Sequence, residues 1–374
     1  MPALKPTPTS PLPAVVLTAL AMGSFALTAM LVGHMTPYPE MGPVDDKLRF
    51  FEAHRDDYDV LFFGSSRVYR GIVPAAFDAE MARRGAPVRS FNFGADGMDS
   101  HETAALVRRV LALEPGRLRW VVIELDRWSA ELPPENRFKR RAVFWHDREE
   151  TASVLRTLAR AEVSAERRLE LATTHLLHLA ARTTAAGRGR GLVASVRARF
   201  GTGRRAGREA AAELARSAGF APFSQGAYRT PSHHPFRRRF LEGLPDYRRA
   251  VARLPAANRA AAGLDGYNVE AVARQVAAIR RAGARPVHLI TPTARPTPEL
   301  YRLAEAGHVP ILLAFNDPAA YPALFAEERR FDAEHLTTEG ALHLSRLLAG
   351  RLAGTAAPAE PGDVRLARAG PGDR

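Results

Sequence analysis

The sequence predicts an α/β fold in which helices cover both faces of a five-stranded parallel sheet. Short apolar runs alternate with helical patterns, and each run is apolar on successive residues, as in strands buried on both faces. Glycine, proline or charged residues bound these runs. We therefore expect a three-layer α/β/α domain, with a helical insertion where the alternation stops and one N-terminal transmembrane helix.

The N-terminal segment has the length and composition of a membrane span. Leu12 to Val32 is free of charged side chains, and at ~1.5 Å per residue it is long enough to cross ~30 Å of hydrocarbon. Lys5 precedes it and Asp45-Asp46 follows it. By the positive-inside rule, residues 1–11 are cytoplasmic, 12–35 form a single-pass signal anchor in the inner (cytoplasmic) membrane, and the bulk is extracytoplasmic, or periplasmic. A cleaved signal peptide is the alternative, but no convincing small-x-small site closes the run.

After a tether over 36–44, the first part of the domain covers 45–131 and the second covers 266–355. The predicted strands are Asp59–Phe63, Val88–Phe93, Trp120–Leu125, Val287–Ile290 and Val309–Phe315. The predicted helices are Pro74–Arg84, Ser100–Leu113, Val269–Ala282 and Thr338–Ala353. Strand and helix in regular alternation indicate parallel pairing.

Residues 132–265 contain no clear strand run and are rich in Ala, Arg and Glu, which predicts a basic helical insertion. Its glycine-rich segment Gly187–Gly191 lacks the spacing of a phosphate-binding loop, and the pair His233-His234 lacks a carboxylate at ligand spacing. We predict no metal and no cofactor. The tail, 356–374, is rich in Pro, Gly and charge, which predicts disorder.

Charge and cysteine content narrow the function classes. The formal charge of +13 is compatible with an anionic membrane face, an acidic polymer or nucleic acid as a partner, or with a solvated basic surface that binds none of them. The arginine-rich stretch Arg188–Arg208 has little aromatic interleaving, and nucleic-acid binding conflicts with an exported domain, so no nucleic-acid partner is expected. The absence of cysteine excludes thiolate nucleophiles and disulfides.

Two short motifs at opposite ends of the domain contain the candidate catalytic side chains. Gly64-Ser65-Ser66-Arg67 follows the first predicted strand, and Asp332-Ala333-Glu334-His335 precedes the last predicted helix. A serine at a helix N-terminus has backbone N–H groups pointing where negative charge develops, and an aspartate three residues before a histidine fixes its tautomer. N-capping is the non-catalytic interpretation of the two serines. If the sheet brings both motifs to one edge, they form a serine-nucleophile site.

These segments resemble the SGNH (GDSL-type) hydrolase superfamily, and more closely its membrane-anchored branch related to polysaccharide and teichoic-acid O-acylation proteins. The resemblance implies a flavodoxin-like SGNH fold with Ser66 as nucleophile and Asp332 and His335 as its partners. It also matches Asn92-Phe93-Gly94-Ala95-Asp96-Gly97 to the block that supplies an oxyanion donor. The Ser66 and Gly97 backbone N–H groups are then the oxyanion donors, with Gly94 as the fallback.

One part of the family pattern is missing. After the third strand the family has Gly-x-Asn-Asp, and here Trp128 stands where that Asn belongs. Loss of one oxyanion donor costs roughly 10² to 10³ in turnover. Arg67, Asn92 and the Trp128 indole are the candidate replacements, while Glu124 and Asp126 fit structural ion pairs better.

The expected function is therefore a membrane-anchored, extracytoplasmic serine esterase or O-acyltransferase. The resemblance implies acyl esters, in particular acetyl esters, of a cell-surface glycan, and a membrane-bound acyl-donor protein as a partner. The alternative is a catalytically impaired glycan-binding or assembly component of a polysaccharide modification or export system. The missing Asn favours that alternative, and the intact Ser, Asp and His favour an enzyme.

Overall fold

The computed structural model describes residues 12–36, 41–132, 140–186, 188–189, 191–193, 196, 204–223, 235–355 and 365–366. Helices cover both faces of one parallel sheet. Its five main strands are β1 (Val60–Phe63), β2 (Ser90–Asn92), β3 (Trp120–Glu124), β4 (Arg285–Ile290) and β5 (Ile311–Ala314).

The strand order is β2-β1-β3-β4-β5, and every neighbouring pair is parallel. The chain therefore reverses its direction of winding next to β1, and in doubly wound sheets this switch point forms a crevice at the carboxyl ends of the strands. A short strand, β6 (Arg365–Leu366), pairs with β5 inside the tail that the sequence predicts to be disordered. The rest of that tail, 356–364 and 367–374, lies outside the described residues.

The helices follow the strands in alternation. Before and among the first three strands lie α1 (Leu12–Met35), α2 (Pro43–Ala53), α3 (Ser66–Tyr69), α4 (Pro74–Arg83) and α5 (Ser100–Leu111). Between β3 and β4 lie α6 (Arg140–Trp145), α7 (Arg148–Arg160), α8 (Ala165–Thr183), α9 (Arg204–Ser217), α10 (Pro235–Glu242), α11 (Leu244–Asn258) and α12 (Gly266–Arg281). The last three are α13 (Pro298–Glu305), α14 (Pro322–Phe325) and α15 (Thr338–Gly354).

Strand β1 lies in the centre of the core, which is why its four residues are all apolar. Val60 and Phe62 pack on one face of the sheet, in a cluster with Phe77 of α4 and Leu344 of α15. Leu61 and Phe63 pack on the other face, in a cluster with residues of α2 and α5. All four are 0% exposed, so neither face of β1 meets water and apolar residues do not alternate with polar ones.

The described residues of 132–265 contain helices and no strand, as the sequence predicts for the insertion. Its own small core gathers Trp145 of α6, Val154 and Leu158 of α7, and Leu171 of α8. His175 and His178 are buried beside this core, where His175 bonds to His146 at 2.7 Å. These histidines are therefore packed inside the insertion.

Helix α1 is exposed along nearly its whole length, and Ala14–Met35 is long and apolar enough to cross a membrane. The ordered domain begins at α2 with Pro43, two residues before the predicted start at Asp45. Proline at the first helical position extends the helix toward the tether, since its missing N–H is not needed there. Residues 37–40 of the predicted tether lie outside the described residues.

Candidate active site

The turn between β1 and α3 assigns different environments to two adjacent serines. The Ser65 hydroxyl accepts a hydrogen bond from the Arg67 N–H at 3.2 Å and caps α3, so N-capping is the correct interpretation of this residue. Ser66 is the first residue of α3, and its hydroxyl faces away from the cap toward His335.

Ser66, His335 and Asp332 form one hydrogen-bonded chain. The Ser66 Oγ lies 2.8 Å from the His335 Nε2. The His335 Nδ1 lies 2.9 Å from both carboxylate oxygens of Asp332. The sheet therefore brings together the two motifs that stand 269 positions apart in the chain.

The carboxylate of Asp332 is held in its ionised form. Burial alone raises the pKa of Asp332, but the hydrogen bond and charge of His335, with backbone N–H groups, outweigh it and lower the pKa. The N–H groups of Glu334 and His335 each donate to Asp332 Oδ1 at 2.8 Å. A carboxylate with these contacts orients the imidazole and stabilises its protonated form.

A buried arginine holds the loop that carries Asp332 and His335. The Arg330 side chain is fully buried, and its Nη1 donates to the Pro292 carbonyl at 2.7 Å. Its other nitrogens donate to the carbonyls of Asp332 and Ala333. Burial lowers the pKa of Arg330, and these carbonyls supply the hydrogen bonds that water would otherwise make. Because Pro292 follows β4, the loop is fixed to the sheet.

Glu124, at the end of β3, fixes the serine turn. Its Oε2 accepts the Ser65 N–H at 2.7 Å, and its Oε1 accepts the Arg67 Nε at 2.7 Å and the Thr291 hydroxyl at 3.1 Å. A Cβ on Gly64 would lie 2.6 Å from the Glu124 Cβ, so only glycine admits this carboxylate so close to the turn. Sequence reasoning missed this positioning role; the available signal was an acidic residue ending an otherwise apolar strand.

Arg67 connects the two motifs electrostatically. It pairs with Glu124 and Asp126, and its Nη1 lies 3.6 Å from Glu334, the residue before His335. Burial by itself lowers the pKa of Arg67, but the three carboxylates outweigh it and raise the pKa. Glu124 and Asp126 are structural ion-pair partners, as the sequence predicts. The guanidinium is therefore committed to carboxylates, which argues against Arg67 as the replacement oxyanion donor.

The other two candidate replacement donors also have other environments. The Asn92 side-chain amide donates to the carbonyls of Val68 and Ile72, both at 2.8 Å, and is 0% exposed. The Trp128 indole packs with Ala104, Tyr267 and Ala271 between α5 and α12. Both amide hydrogens of Asn92 are used, which argues against Asn92 as a replacement donor, and Trp128 belongs to a core cluster.

The proposed backbone donors lie in different environments. The fallback residue, Gly94, donates its N–H to the Asn92 Oδ1 at 2.8 Å, so it is not free for an oxyanion. Gly97 lies in an exposed turn with a φ of 63°, a conformation that favours glycine. Within the described part of the chain, the Ser66 N–H has no hydrogen-bond partner.

The insertion contributes an aromatic wall to the site. The Phe223 ring stacks on Phe331 with centroids 4.1 Å apart, and it meets the His335 ring edge-on at 5.0 Å. The Arg70 guanidinium lies 4.6 Å from the centre of the same ring. Sequence reasoning gave the insertion no role in the site, since no local pattern marks Phe223.

No protein-family model and no curated protein matches this sequence. The function proposed below is therefore inferred from the geometry of the candidate site. Among the described residues, no group of three His, Cys, Asp or Glu side chains is arranged to hold a metal ion. The pair His233-His234 lies outside the described residues.

Proposed function

We propose that the chain is a membrane-anchored, extracytoplasmic serine esterase or O-acyltransferase of the SGNH type. The observation that carries this proposal is the hydrogen-bonded chain Ser66–His335–Asp332, with its 2.8 Å contact between Oγ and Nε2. The strand order and the position of the serine directly after β1 support the SGNH assignment. So does the position of Asp332 and His335 just before α15.

The geometry supports acyl transfer in two steps. His335 Nε2 takes the Ser66 proton while Oγ bonds to the ester carbonyl carbon, and the resulting imidazolium returns that proton to the departing alkoxide. Water or an acceptor hydroxyl then attacks the acyl-serine, with His335 again taking and returning the proton. Asp332 keeps Nδ1 protonated and stabilises the imidazolium throughout.

The oxyanion needs donors at the β1–α3 turn. The Ser66 N–H is one, and we assign the Gly97 N–H as the second. Asn92 and Arg67 are engaged elsewhere and Trp128 packs in a core cluster, so none of these three described side chains is well placed to replace the missing Asn. A weaker oxyanion hole favours activated acyl donors over simple hydrolysis of stable esters.

Substrate and setting follow from the family resemblance and from α1. We assign acyl esters, in particular acetyl esters, of a cell-surface glycan as substrates, and a membrane-bound acyl-donor protein as a partner. The N-terminus is cytoplasmic and the domain periplasmic in this proposal, consistent with Lys5 before the span and Asp45-Asp46 after it.

The second candidate function is a glycan-binding or assembly component with an impaired site. Trp128 in place of an oxyanion Asn favours it, because this residue is only 6% exposed and packs in a core cluster. Retention of a complete, correctly spaced Ser–His–Asp chain weighs against it.

A serine-directed fluorophosphonate probe distinguishes the two functions. We expect the full-length chain in detergent to be labelled, the Ser65→Ala variant to retain labelling, and the Ser66→Ala variant to lose it. Hydrolysis of p-nitrophenyl acetate should likewise be retained in the unmodified chain and in Ser65→Ala and be lost in Ser66→Ala. Ser65→Ala is the matched control because it removes a neighbouring hydroxyl without touching His335. Labelling that persists in Ser66→Ala would contradict the nucleophile, and absence of labelling in the unmodified chain would favour the second candidate.

A further inference from the structure

Helix α8 has an exposed apolar face. Leu169, Leu176 and Leu177 are 70%, 49% and 64% exposed, respectively. The first turns of α8 carry the exposed Glu166 and Glu170 on this side, but residues 171–181 include no ionisable side chain apart from histidines. The buried residues Leu171, His175 and His178 lie on the opposite side of the helix. An ordinary surface helix carries charged residues on its outer face, so this face fits an apolar or interfacial environment.

The chain that follows α8 contacts the end of the candidate membrane span. Arg188 donates from Nη1 to the Thr36 carbonyl at 3.1 Å, and Thr36 directly follows α1. Gly191 lies beside the same threonine. Only five positions separate Arg188 from the end of α8 at Thr183. The exposed face of α8 therefore belongs to the part of the insertion next to the membrane boundary.

Arginines accumulate at this same place. The guanidinium carbons of Arg109 and Arg182 lie 5.1 and 4.9 Å from the centre of one ring, that of Phe144. Burial lowers the pKa values of Arg182 and Arg188, and repulsion from Arg109 lowers both further. Asp147 acts against this effect at Arg182. Mutual repulsion of guanidinium groups is relieved by an anion, and a phosphate at a membrane surface is such an anion.

We propose that the exposed face of α8 lies in the membrane interface, with Arg188 against the phosphate groups of anionic phospholipids. The leucines enter the boundary between headgroups and acyl chains, as in interfacial amphipathic helices. The inference rests on the proposed anchoring by α1. It gives the insertion a function in holding the catalytic domain against the bilayer.

Depth-dependent quenching tests this surface. The chain has no cysteine, so Leu176→Cys supplies a single attachment site for an environment-sensitive fluorophore. The labelled full-length chain is reconstituted in phosphatidylcholine vesicles with or without phosphatidylglycerol. We expect quenching by doxyl-labelled lipids and protection from iodide. The control is Leu241→Cys on α10, which is 46% exposed and should show the reverse. Helix α10 packs with α11 on the other face of the sheet, where Phe240 meets Tyr247.

A second probe position distinguishes two outcomes: α8 does not contact the membrane, or α1 does not insert into it. Leu20→Cys lies within α1 and reports the span itself. Quenching at Leu20 without quenching at Leu176 would overturn the α8 proposal and leave the anchor in place. Quenching at neither position would overturn both.

The variant Arg188→Gln tests the lipid chemistry. At ~1 kcal/mol for a basic residue near an anionic surface, we expect the ratio of membrane-inserted to water-exposed Leu176 probe to fall by roughly five-fold in phosphatidylglycerol vesicles. The ratio should be unchanged in pure phosphatidylcholine. An equal effect in both lipids would overturn the headgroup assignment. Unaltered serine-probe labelling of Ser66 serves as the folding control.

Discussion

Ser65 and Ser66 are chemically identical neighbours, and their positions at the start of α3 give their hydroxyls different partners. The first lies outside α3 and accepts the Arg67 N–H; the second begins the helix and meets His335. A capping serine has its oxygen turned toward the helix, so it is poorly placed to attack a substrate. Of the two hydroxyls, only that of Ser66 is therefore proposed as the nucleophile.

Replacing Asp332 with Asn should remove the negative charge beside the His335 imidazole while keeping the hydrogen bonds that hold the loop. The Asn oxygen still accepts the N–H groups that hold the loop, but the amide no longer stabilises an imidazolium or enforces the same tautomer. We expect turnover of p-nitrophenyl acetate to fall by roughly 10³ to 10⁴, with little change in melting temperature.

The control for this variant is Glu334→Gln, which alters the adjacent carboxylate without touching the imidazole. A loss smaller than about tenfold in Asp332→Asn would contradict the assigned role. An equal loss in Glu334→Gln would indicate that the arginine network, and not the triad, limits the rate.

At the scale of elements, the β1–α3 turn depends on a close approach between two strands. Gly64 follows β1, and the Glu124 side chain at the end of β3 occupies the volume that a Cβ on Gly64 would need. The ion pair between Glu124 and Arg67 then fixes the first turn of α3. The serine is positioned by this contact between β3 and the turn.

Gly64→Ala should therefore disturb both stability and the site. The added Cβ meets the Glu124 Cβ and the Val68 Cγ2 at 2.6 Å, and overpacking of this kind costs about 1–3 kcal/mol. We expect a lower melting temperature and weaker fluorophosphonate labelling. Gly207→Ala in α9 is the matched control, because no described atom lies within 4 Å of its Cβ. It should be neutral or stabilising by up to ~1 kcal/mol. Equal effects of the two substitutions would contradict the packing argument.

Sequence patterns located all five main strands, but their ends less well. The prediction Val88–Phe93 exceeds β2, which covers Ser90–Asn92, because an apolar residue is buried whether or not it joins the ladder. Conversely, β4 begins at Arg285, two residues before the predicted start, since backbone pairing with Trp120 places no demand on the side chain. The predicted starts of two helices, Ser100 and Thr338, are correct, although the capping residues are the preceding Asp99 and Thr337 and not Ser100 as expected.

At the scale of the whole molecule, buried histidines make stability depend on pH. His288 lies in strand β4 and is 0% exposed, and its two ring nitrogens have no hydrogen-bond partner among the described residues. Burial lowers the pKa of His288 from its ordinary value of 6.5 to about 4. The unfolded chain therefore binds a proton at this position more readily than the folded chain does.

The sign of the effect follows from this difference. Stability is fully present above pH ~6.5 and is lost as the pH falls toward about 4, where His288 alone accounts for ~3 kcal/mol. We expect His288→Leu, which is of similar volume, to flatten the dependence of the unfolding free energy on pH in this window. Denaturant titrations of the unmodified chain and the variant at pH 7 and pH 4.5 measure the change in unfolding free energy. A variant with unchanged pH dependence would show that other groups, such as His175, dominate.

By itself, the sequence determined the alternation of strands and helices, the apolar segment ahead of them, and the side chains available at the two ends of the domain. These are local properties, set by periodicity and by residue type over a few positions. Only the tertiary structure decided which polar groups are free. Asn92 is consumed by the carbonyls of Val68 and Ile72, and Phe223 reaches His335 from the insertion. The physical reason is that a hydrogen bond or ring contact depends on what folding brings within a few ångströms, and no local pattern records those partners.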